Sequence, residues 1–225
     1  FAGGFRYTDD IVVMALQCAT QWDALAHVFY DDQLYNGYPA TEVTTRGALK
    51  DAIDRQAKGI TGRGVLLDVA RLFDVPWLEP GHAITAGDLD AACAAQGVEL
   101  GSGDILMVRT GWRRMFVETA DRAAFMGSEP GLGLTCCEWL RDRDVAVVCA
   151  DNWALEAVPA VDPSVRMPVH MVLIRDMGVT LGEMFDFEEL AADCASDGVW
   201  ECFFCGPPLK VTRGVGSPIN PLAIK

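Results

Sequence analysis

Basic residues are scarce in this chain of 225 residues: Lys and Arg together number 18 against 32 Asp and Glu, and the formal net charge is −14. A surface of that sign repels nucleic-acid phosphates and anionic lipid head groups. Long hydrophobic runs are also missing, since none approaches the ~18 apolar residues that a membrane-spanning helix needs. The sequence therefore argues against nucleic-acid and membrane partners, and we expect a small-molecule substrate.

Nucleotide-binding and zinc-finger motifs are absent as well. No G-x-G-x-x-G follows a strand-like run, and the phosphate-binding G-x-x-x-x-G-K-[ST] pattern does not occur. Cys202 and Cys205 form the single C-x-x-C motif, and a structural zinc site would require a second pair. We therefore predict buried strand thiols. The eight cysteines are spread through apolar stretches, which favours a reducing, cytoplasmic location.

With 51% hydrophobic residues and no repeat or linker, the sequence predicts one domain over residues 1–225. Strand-like runs rich in branched residues occur at 64–69, 105–109, 145–150 and 199–205. Helical patterns occur at 47–58, 85–97, 135–141 and 186–192. Strands that alternate with helices indicate an α/β domain.

Polar side chains cluster between residues 17 and 27. If this segment is extended, Gln17, Gln21 and Asp23 share one face, and if Asp23 begins a helical turn, His27 faces the same way. Buried polar groups must be hydrogen-bonded or bind a metal, because an unpaired one costs about 1–3 kcal/mol. The spacing leaves both a structural network and a functional site open.

A second candidate site involves His170 and Glu183. Pro168 suits the first turn of a helix and Gly178 suits its end, so a short helix would carry His170. If the chain reverses at Gly178, Glu183 returns level with His170, and an imidazole beside a carboxylate suits zinc or manganese. The alternative is an exposed histidine and an unrelated glutamate. His82 is predicted to lie in a surface turn.

Three aromatic residues, Trp22, Tyr30 and Trp153, occur beside the polar positions or in similar surroundings. Aromatic side chains usually pack in a core, but beside polar groups they can also line a pocket for a flat substrate. Both interpretations stay open at this point.

The segment Thr20-Gln-Trp-Asp23-Ala-Leu-Ala-His27 resembles the H-x-G-T-H-x-D-x-x-x-H signature of the cyclase family of metal-dependent hydrolases, which includes bacterial kynurenine formamidases. Further fragments follow in the family's order: Tyr35-Asn-Gly37, Gly62-Arg-Gly-Val-Leu-Leu-Asp68, Gly103-Asp-Ile-Leu106, Arg109-Thr-Gly-Trp112, Pro168-Val-His170, Gly182-Glu183, Pro208-Leu-Lys210 and Gly216-Ser-Pro218. Each fragment is weak, but the ordered set covers nearly the whole chain.

The resemblance implies a β/β/α swivelling-type fold in a single domain, a homo-oligomer (dimer or tetramer) and hydrolysis of small amides, imides or lactones. It also implies that the segment usually preceding the first motif is largely missing here. By position, Asp23, His170 and Glu183 match metal ligands, and His27 matches a catalytic histidine. Gln17 and Gln21 replace two metal-binding histidines of the pattern. Because amides are weak zinc ligands, we expect one divalent ion per chain, zinc or manganese.

The predicted function is therefore metal-dependent hydrolysis of an aryl formamide such as N-formylkynurenine. A bound ion lowers the pKa of water to ~7, His27 would shuttle the proton, and Glu183 would take part in catalysis. The predicted substrate contacts are Gln17, Gln21, Trp22, Tyr30 and Trp153. The alternatives are lactone or cyclic imide hydrolysis and a non-catalytic small-molecule-binding protein.

Overall fold

The computed structural model describes residues 2–56 and 58–225. Within these ranges the chain forms twelve strands: β1 Gln21–Asp23, β2 Val43–Thr44, β3 Gly47–Ala48, β4 Thr61–Asp68, β5 Ala83–Ile84, β6 Ile105–Arg109, β7 Gly131–Leu132, β8 Val147–Ala150, β9 Thr180–Glu183, β10 Glu201–Cys205, β11 Gly216–Pro218 and β12 Leu222–Ile224. The helices of the same ranges are α1 Val69–Leu72, α2 Ala86–Gln96, α3 Trp112–Thr119, α4 Arg122–Gly127, α5 Thr135–Asp142, α6 Pro168–His170 and α7 Glu188–Asp197. A π-helical stretch, Met171–Met177, continues α6, and short 3-10 turns cover Ala2–Gly4, Tyr35–Gly37, Ala40–Glu42 and Ile53–Gln56.

Eight strands form one mixed sheet in the order β11-β1-β9-β8-β6-β4-β10-β12. The four central strands β9, β8, β6 and β4 are parallel to one another. On the outer sides, β1 pairs antiparallel with β9 and β11, and β10 pairs antiparallel with β4 and β12. The carboxyl ends of parallel strands lie at the same edge, which is where open α/β sheets bind ligands. Asp68, Arg109 and Glu183 are the last residues of β4, β6 and β9 and lie at this edge.

The central strands are buried on both faces, as parallel strands covered by helices are. Leu66, Leu106, Val148 and Leu181 are fully buried and belong to one hydrophobic core cluster. The strands predicted at 64–69, 105–109, 145–150 and 199–205 correspond to β4, β6, β8 and β10. Cys202 is buried and Cys205 half-buried, both unbonded in β10, so the predicted strand thiols are confirmed.

The helix predicted at 85–97 is confirmed as α2. The Thr85 hydroxyl accepts the backbone N–H of Asp88, whose carboxylate accepts that of Thr85, and Gly97 ends the helix at φ 67°. The prediction at 135–141 is also confirmed, as α5.

The predicted helix at 47–58 is wrong, and residue 57 of that range lies outside the described residues. Asp51 has φ 54°, which interrupts a helix, and the backbone N–H groups of Ala48 and Ile53 bond to the carbonyls of Arg213 and Gly214. Hydrogen bonds to a distant segment therefore replace the local helical ones.

The predicted helix at 186–192 begins later and ends later, as α7 from Glu188 to Asp197. Asp186 accepts the backbone N–H of Glu188 at 3.3 Å, but the predicted capping box with Glu189 does not form. Gly198 then ends the helix at φ 75°, because glycine adopts this left-handed conformation readily.

None of the helices in the described ranges combines the length and apolar character required to cross a membrane.

Candidate metal centre and active site

Two segments far apart in the sequence meet where β1 pairs with β9. Gln21 lies directly opposite Glu183, and Asp23 lies two residues further along β1 on the same face. Because side chains alternate along a strand, all three point to one side of the sheet. The strand arrangement therefore gathers an amide and two carboxylates.

His170 reaches this group from the end of α6, where the π-helical stretch begins. Met167 turns the chain at φ 57°, Pro168 begins the helix, and Gly178 reverses it at φ 71°. His170 Nε2 lies 3.2 Å from Glu183 Oε1 and 3.9 Å from Asp23 Oδ2. The predicted convergence of His170 with Glu183 and Asp23 is thus present, and a π-helical turn follows directly, a feature often found at functional sites.

The three side chains form a donor set for a cation. One ligand atom from each of Asp23, His170 and Glu183 lies within 4.8 Å of the others, and all three residues are buried. Asp23 Oδ2 is buried with no hydrogen-bond partner among the described residues. Two carboxylates and an imidazole suit a single divalent ion such as zinc or manganese, so these residues fit the expected metal.

Glu156 orients His170 and was missed in the sequence analysis. It is 1% exposed, and its Oε1 lies 2.6 Å from His170 Nδ1. Its carboxylate also accepts the backbone N–H groups of Val169 at 3.1 Å and His170 at 2.9 Å. The signal that could have revealed it is a lone carboxylate in the apolar run Ala-Leu-Glu-Ala-Val.

The charges of this group are not balanced in the metal-free chain. Burial disfavours the His170 imidazolium, but hydrogen bonds to Glu156 and Glu183 overcome this effect and raise its pKa to about 10. Burial, and then repulsion from Glu183, raise the pKa of Asp23 well above its ordinary value. One imidazolium faces three carboxyl groups, so the site attracts a further cation.

His27 lies beside Asp23, with Nε2 3.9 Å from Oδ1. The Gln17 amide nitrogen lies 3.3 Å from His27 Nδ1 and donates to the Val215 carbonyl at 3.1 Å. Because a carbonyl only accepts, the amide NH₂ faces both groups, and the His27 proton is held on Nε2. Burial lowers the pKa of His27, which keeps the ring neutral at neutral pH.

Gln21 faces the two carboxylates through its nitrogen. Nε2 donates to Glu183 Oε2 at 2.7 Å and to Asp23 Oδ1 at 3.5 Å. Since carboxylates accept only, the amide is fixed in this orientation and its Oε1 is left buried without a partner in the described part of the chain.

A cavity of about 490 Å³, termed the site cavity below, opens above this group. Its polar floor includes Gln17, Gln21, His27, His170 and Glu183. Its apolar side is formed by Val28, Met126, Trp153, Ala154, Met167 and Met184. The predicted contacts Gln17, Gln21 and Trp153 therefore line one space, whose size suits a small ligand.

Trp22 does not line the site cavity, and its predicted substrate contact is wrong. It alternates with Gln21 and Asp23 and so points to the opposite face, where it is fully buried. Its ring packs against Phe185 and Phe204 at centroid distances of 5.2 and 6.0 Å, and its Nε1 donates to a backbone carbonyl at 2.6 Å.

Tyr30 also lies outside the residues that line the site cavity. Its hydroxyl donates to the Asp176 carboxylate at 2.6 Å, and the Arg175 guanidinium lies 4.3 Å above its ring. The structure therefore places Tyr30 at a surface ion pair and does not bring it to the other predicted substrate contacts. His82, predicted in a surface turn, is half-buried with its ring edge-on to Phe73 at 5.1 Å.

A second buried charge group lies at the same edge of the sheet. Arg109 donates to Asp68 at 2.8 Å and, through two nitrogens, to both oxygens of Glu188 at 2.8 and 2.9 Å. Asp68 also accepts the backbone N–H of Arg71 at the start of α1. In this group the guanidinium is matched by carboxylates on both sides.

Comparisons with known proteins agree with this geometry. A family model described as "Putative cyclase" matches residues 5–157. Isatin hydrolase from Roseibium aggregatum is 28% identical over 152 residues, which cover 65% of this chain and 54% of that protein. The chain thus spans about half the length of this curated relative.

Solved structures show the same fold. The crystal structure of a novel cyclase is 40% identical and superposes with a TM-score of 0.92, covering 100% of this chain and 75% of that chain. An isatin hydrolase bound to the product analogue thioisatinate is 22% identical with a TM-score of 0.68, covering 94% of this chain and 72% of that one. These similarities confirm the expected α/β fold.

Proposed function

This chain belongs to the cyclase family, and from that premise we propose that it is a metal-dependent hydrolase of small amides, with aryl formamides such as N-formylkynurenine as the first substrate class. Cyclic amides of the isatin type are the second class to test, since a relative is named isatin hydrolase. The observation that carries the proposal is the buried donor set of Asp23, His170 and Glu183 beneath the site cavity.

Asp23, His170 and Glu183 would hold the ion. A divalent ion bound to them would polarise a carbonyl oxygen and make a nearby water more acidic. Glu156 keeps the His170 ring in place through Nδ1, which leaves Nε2 directed at the donor set. The neutral His27 presents an Nε2–H that can donate to the scissile carbonyl oxygen as negative charge develops there.

We predicted His27 as the proton shuttle, and we now propose that Glu183 transfers the proton instead. The attacking water gives a proton to the Glu183 carboxylate, and Glu183 returns that proton to the leaving nitrogen as the C–N bond breaks. His27 already carries its proton on Nε2 and serves as a donor. The Gln17 amide supports this role because its NH₂ group faces Nδ1 of His27 at 3.3 Å.

Metal content and hydrolysis, measured together, test the proposal. We expect protein purified without chelator, or loaded with zinc or manganese, to hold a stoichiometric ion and to hydrolyse aryl formamides. His170→Ala should weaken metal binding by at least about 100-fold, since even residues behind the ligands contribute 10–100-fold. The matched control is His82→Ala, whose half-buried ring lies outside the site cavity.

Two outcomes contradict the proposal. If the wild-type protein binds neither zinc nor manganese, or if the loaded protein hydrolyses no formamide, lactam or lactone, it is a ligand-binding protein with this fold. If His170→Ala retains the ion at full affinity, the assigned donor set is wrong.

We also propose that the protein is a homo-oligomer. The stretch from residue 206 to 224 is apolar, and Leu209, Leu222 and Ile224 are each more than half exposed in the single chain. A second subunit would cover such residues. Light scattering at micromolar concentration should give a multiple of the chain mass, and a monomer mass would contradict this.

A further inference from the structure

Three large apolar residues near the donor set have a left-handed backbone conformation that such residues rarely adopt. Leu155 has φ 58°, Met167 has φ 57° and Met184 has φ 56°. Each lies within three residues of a side chain of the candidate centre or of its support. Most of the other non-glycine residues with positive φ in the described ranges are Asp or Asn, which tolerate this conformation better. The backbone around the centre is therefore strained at three points.

Packing in the hydrophobic core explains why a large side chain occupies the first of these points. Leu155 is fully buried and belongs to the main core cluster. It is not among the residues that line the site cavity. Glycine at this position would relieve the backbone but leave a hole in the core, so packing compensates the strain.

Core packing does not explain the side chains of Met167 and Met184. Both are half-buried, and neither packs against a hydrophobic cluster formed by the described residues. Both line the site cavity. Val28 and Trp153 lie on the same apolar side, but each of them packs against a cluster. The two methionines thus combine a strained backbone with a side chain whose neighbour is the cavity.

The fold requires only the main chain at these two positions. The Met184 N–H donates to the Asn152 carbonyl at 2.8 Å, and the Met184 carbonyl accepts the Thr20 hydroxyl at 2.7 Å. The Met167 carbonyl accepts the backbone N–H of Met171 at 3.2 Å. Glycine would keep all of these hydrogen bonds and would adopt the positive φ without strain. The thioether side chains therefore serve the cavity and not the fold.

We propose that Met167 and Met184 are specificity-determining residues that form an adaptable wall against the apolar part of the substrate. The inference rests on the proposed function, because it places the scissile group at the donor set. Methionine is unbranched and polarisable, so it adjusts to groups of different shape. The wall accepts aromatic and alicyclic groups alike and discriminates against substrates that carry only a methyl group.

Hydroxamic acids test the wall without hydrolysis. Acetohydroxamate, cyclohexanecarbohydroxamate and benzohydroxamate share one metal-binding head group and differ only in the attached methyl, cyclohexyl or phenyl group. Isothermal titration of the zinc-loaded protein gives the three dissociation constants, and hydrolysis of N-formylaniline is measured separately. We expect both ring compounds to bind at least about tenfold more tightly than acetohydroxamate and within about fivefold of each other.

Alanine substitutions remove one side of the wall at a time. Met167→Ala and Met184→Ala should each reduce the preference for the ring compounds at least about threefold, because each removes apolar contact surface. Affinity for acetohydroxamate should stay within about twofold, since its head group binds at the donor set. The matched control is Met177→Ala, which alters a half-buried methionine that packs against the core outside the site cavity. It should keep the wild-type preference.

Glycine substitutions test the strain without metal or ligand. At positions 167 and 184, the glycine variant should unfold about 2–4 °C above the alanine variant, because only glycine relieves the left-handed conformation. At position 177, within the π-helical stretch, the order should be reversed. Met167→Gly and Met184→Gly also lack the thioether, so they should lose the preference as the alanine variants do. If an alanine variant does not fold, its glycine counterpart still reports the preference.

The inference is overturned if no hydroxamate binds, if the three bind equally, or if the variants at positions 167 and 184 keep the wild-type preference. A difference between the two ring compounds larger than expected also overturns it, because the wall would then not adapt. Equal stability of the glycine and alanine variants at both positions contradicts the strain on which it stands. A methionine-dependent preference without hydrolysis of N-formylaniline supports the inference while the proposed function fails. Hydrolysis without any preference gives the opposite result.

Discussion

Two groups of buried charges lie at the carboxyl-terminal edge of the same parallel strands, and they differ in charge balance. In the first, the guanidinium groups of Arg109 and Arg71 are matched by the carboxylates of Asp68 and Glu188. In the second, His170 faces Asp23, Glu156 and Glu183, and an Asp23 oxygen has no hydrogen-bond partner in the described ranges. The sheet thus places a balanced and an unbalanced group side by side.

The difference separates a structural from a functional use of buried charge. Buried ions are tolerated when each is paired, and an unpaired carboxylate is costly unless something else compensates it. The Arg109 group needs nothing further and connects β4, β6 and α7. A cation would complete the Asp23 group, which makes this group the candidate centre.

The largest expected effect is on protein stability and comes from a substitution in the balanced group around Arg109. Arg109→Met should lower the free energy of unfolding by about 3–5 kcal/mol, because it removes the buried guanidinium beside Asp68 and leaves that carboxylate only the exposed Arg71 as a counter-charge. Metal binding should be unchanged in the folded fraction. Urea unfolding followed by circular dichroism measures this. The control is Arg141→Met at the exposed Arg141–Glu138 pair, which should cause no measurable change. An equal effect of the two substitutions would remove the distinction between the groups.

The next effect concerns the unbalanced group. Glu156→Gln should lower metal affinity by about 10–100-fold while the protein stays folded, because Glu156 fixes the His170 ring without touching the ion. Competition with a chelator of known zinc affinity gives the value. Glu138→Gln, an exposed carboxylate on α5, is the matched control. Unchanged affinity in Glu156→Gln would show that the ring needs no such support.

Stability of the metal-free protein should fall as pH rises. The pKa of His170 is raised from 6.5 to about 10, and burial raises the pKa of Glu129 from 4.5 to about 9. Between about pH 6.5 and 9 the folded state therefore binds more protons than the unfolded state, so each group's contribution is lost as pH increases. We expect a decline of about 2–3 kcal/mol per pH unit, roughly half of it from each group, measured by denaturant unfolding. Glu129→Gln should make the decline shallower, and a rise with pH would contradict the assignment.

The smallest expected change is in metal stoichiometry. Replacing Gln17 and Gln21 together with histidine should raise the bound ions from about one to about two per chain, since imidazoles bind zinc far better than amides do. Elemental analysis after incubation with zinc measures the ratio. Two tightly bound ions in the wild-type protein would show that the amides do not limit the site.

Sequence reasoning located the centre but not its surroundings. His27 follows Asp23 by four residues, and Gly178 allows the reversal that returns Glu183 to His170, so local geometry suffices for both relations. Glu156 and Glu129 escaped notice because their partners, the His170 ring and backbone N–H groups, belong to segments that local sequence does not connect with them.

The aromatic residues show the same difference between what local sequence indicates and what distant segments decide. Trp22 lies between two polar site residues in the sequence, yet its ring lies across Gly182 of β9 on the opposite face of the sheet. Trp153 also follows polar residues, Asp151 and Asn152, but it is the bond from its backbone N–H to Glu129 and its packing against the hydrophobic cluster of α3 and α4 that place it at the site cavity. Proximity in sequence was therefore a poor guide to which aromatic side chains face the cavity.

Local sequence alone was enough for the capped helix α2 and the buried strands β4 and β6, because periodicity and capping are properties of a few neighbouring residues. The pairing of β1 with β9, which joins Asp23 to Glu183 across about 160 intervening residues, was decided only in the tertiary structure. Which faces meet depends on how the whole sheet buries its apolar surface, and that requirement is shared among residues distributed along the entire chain.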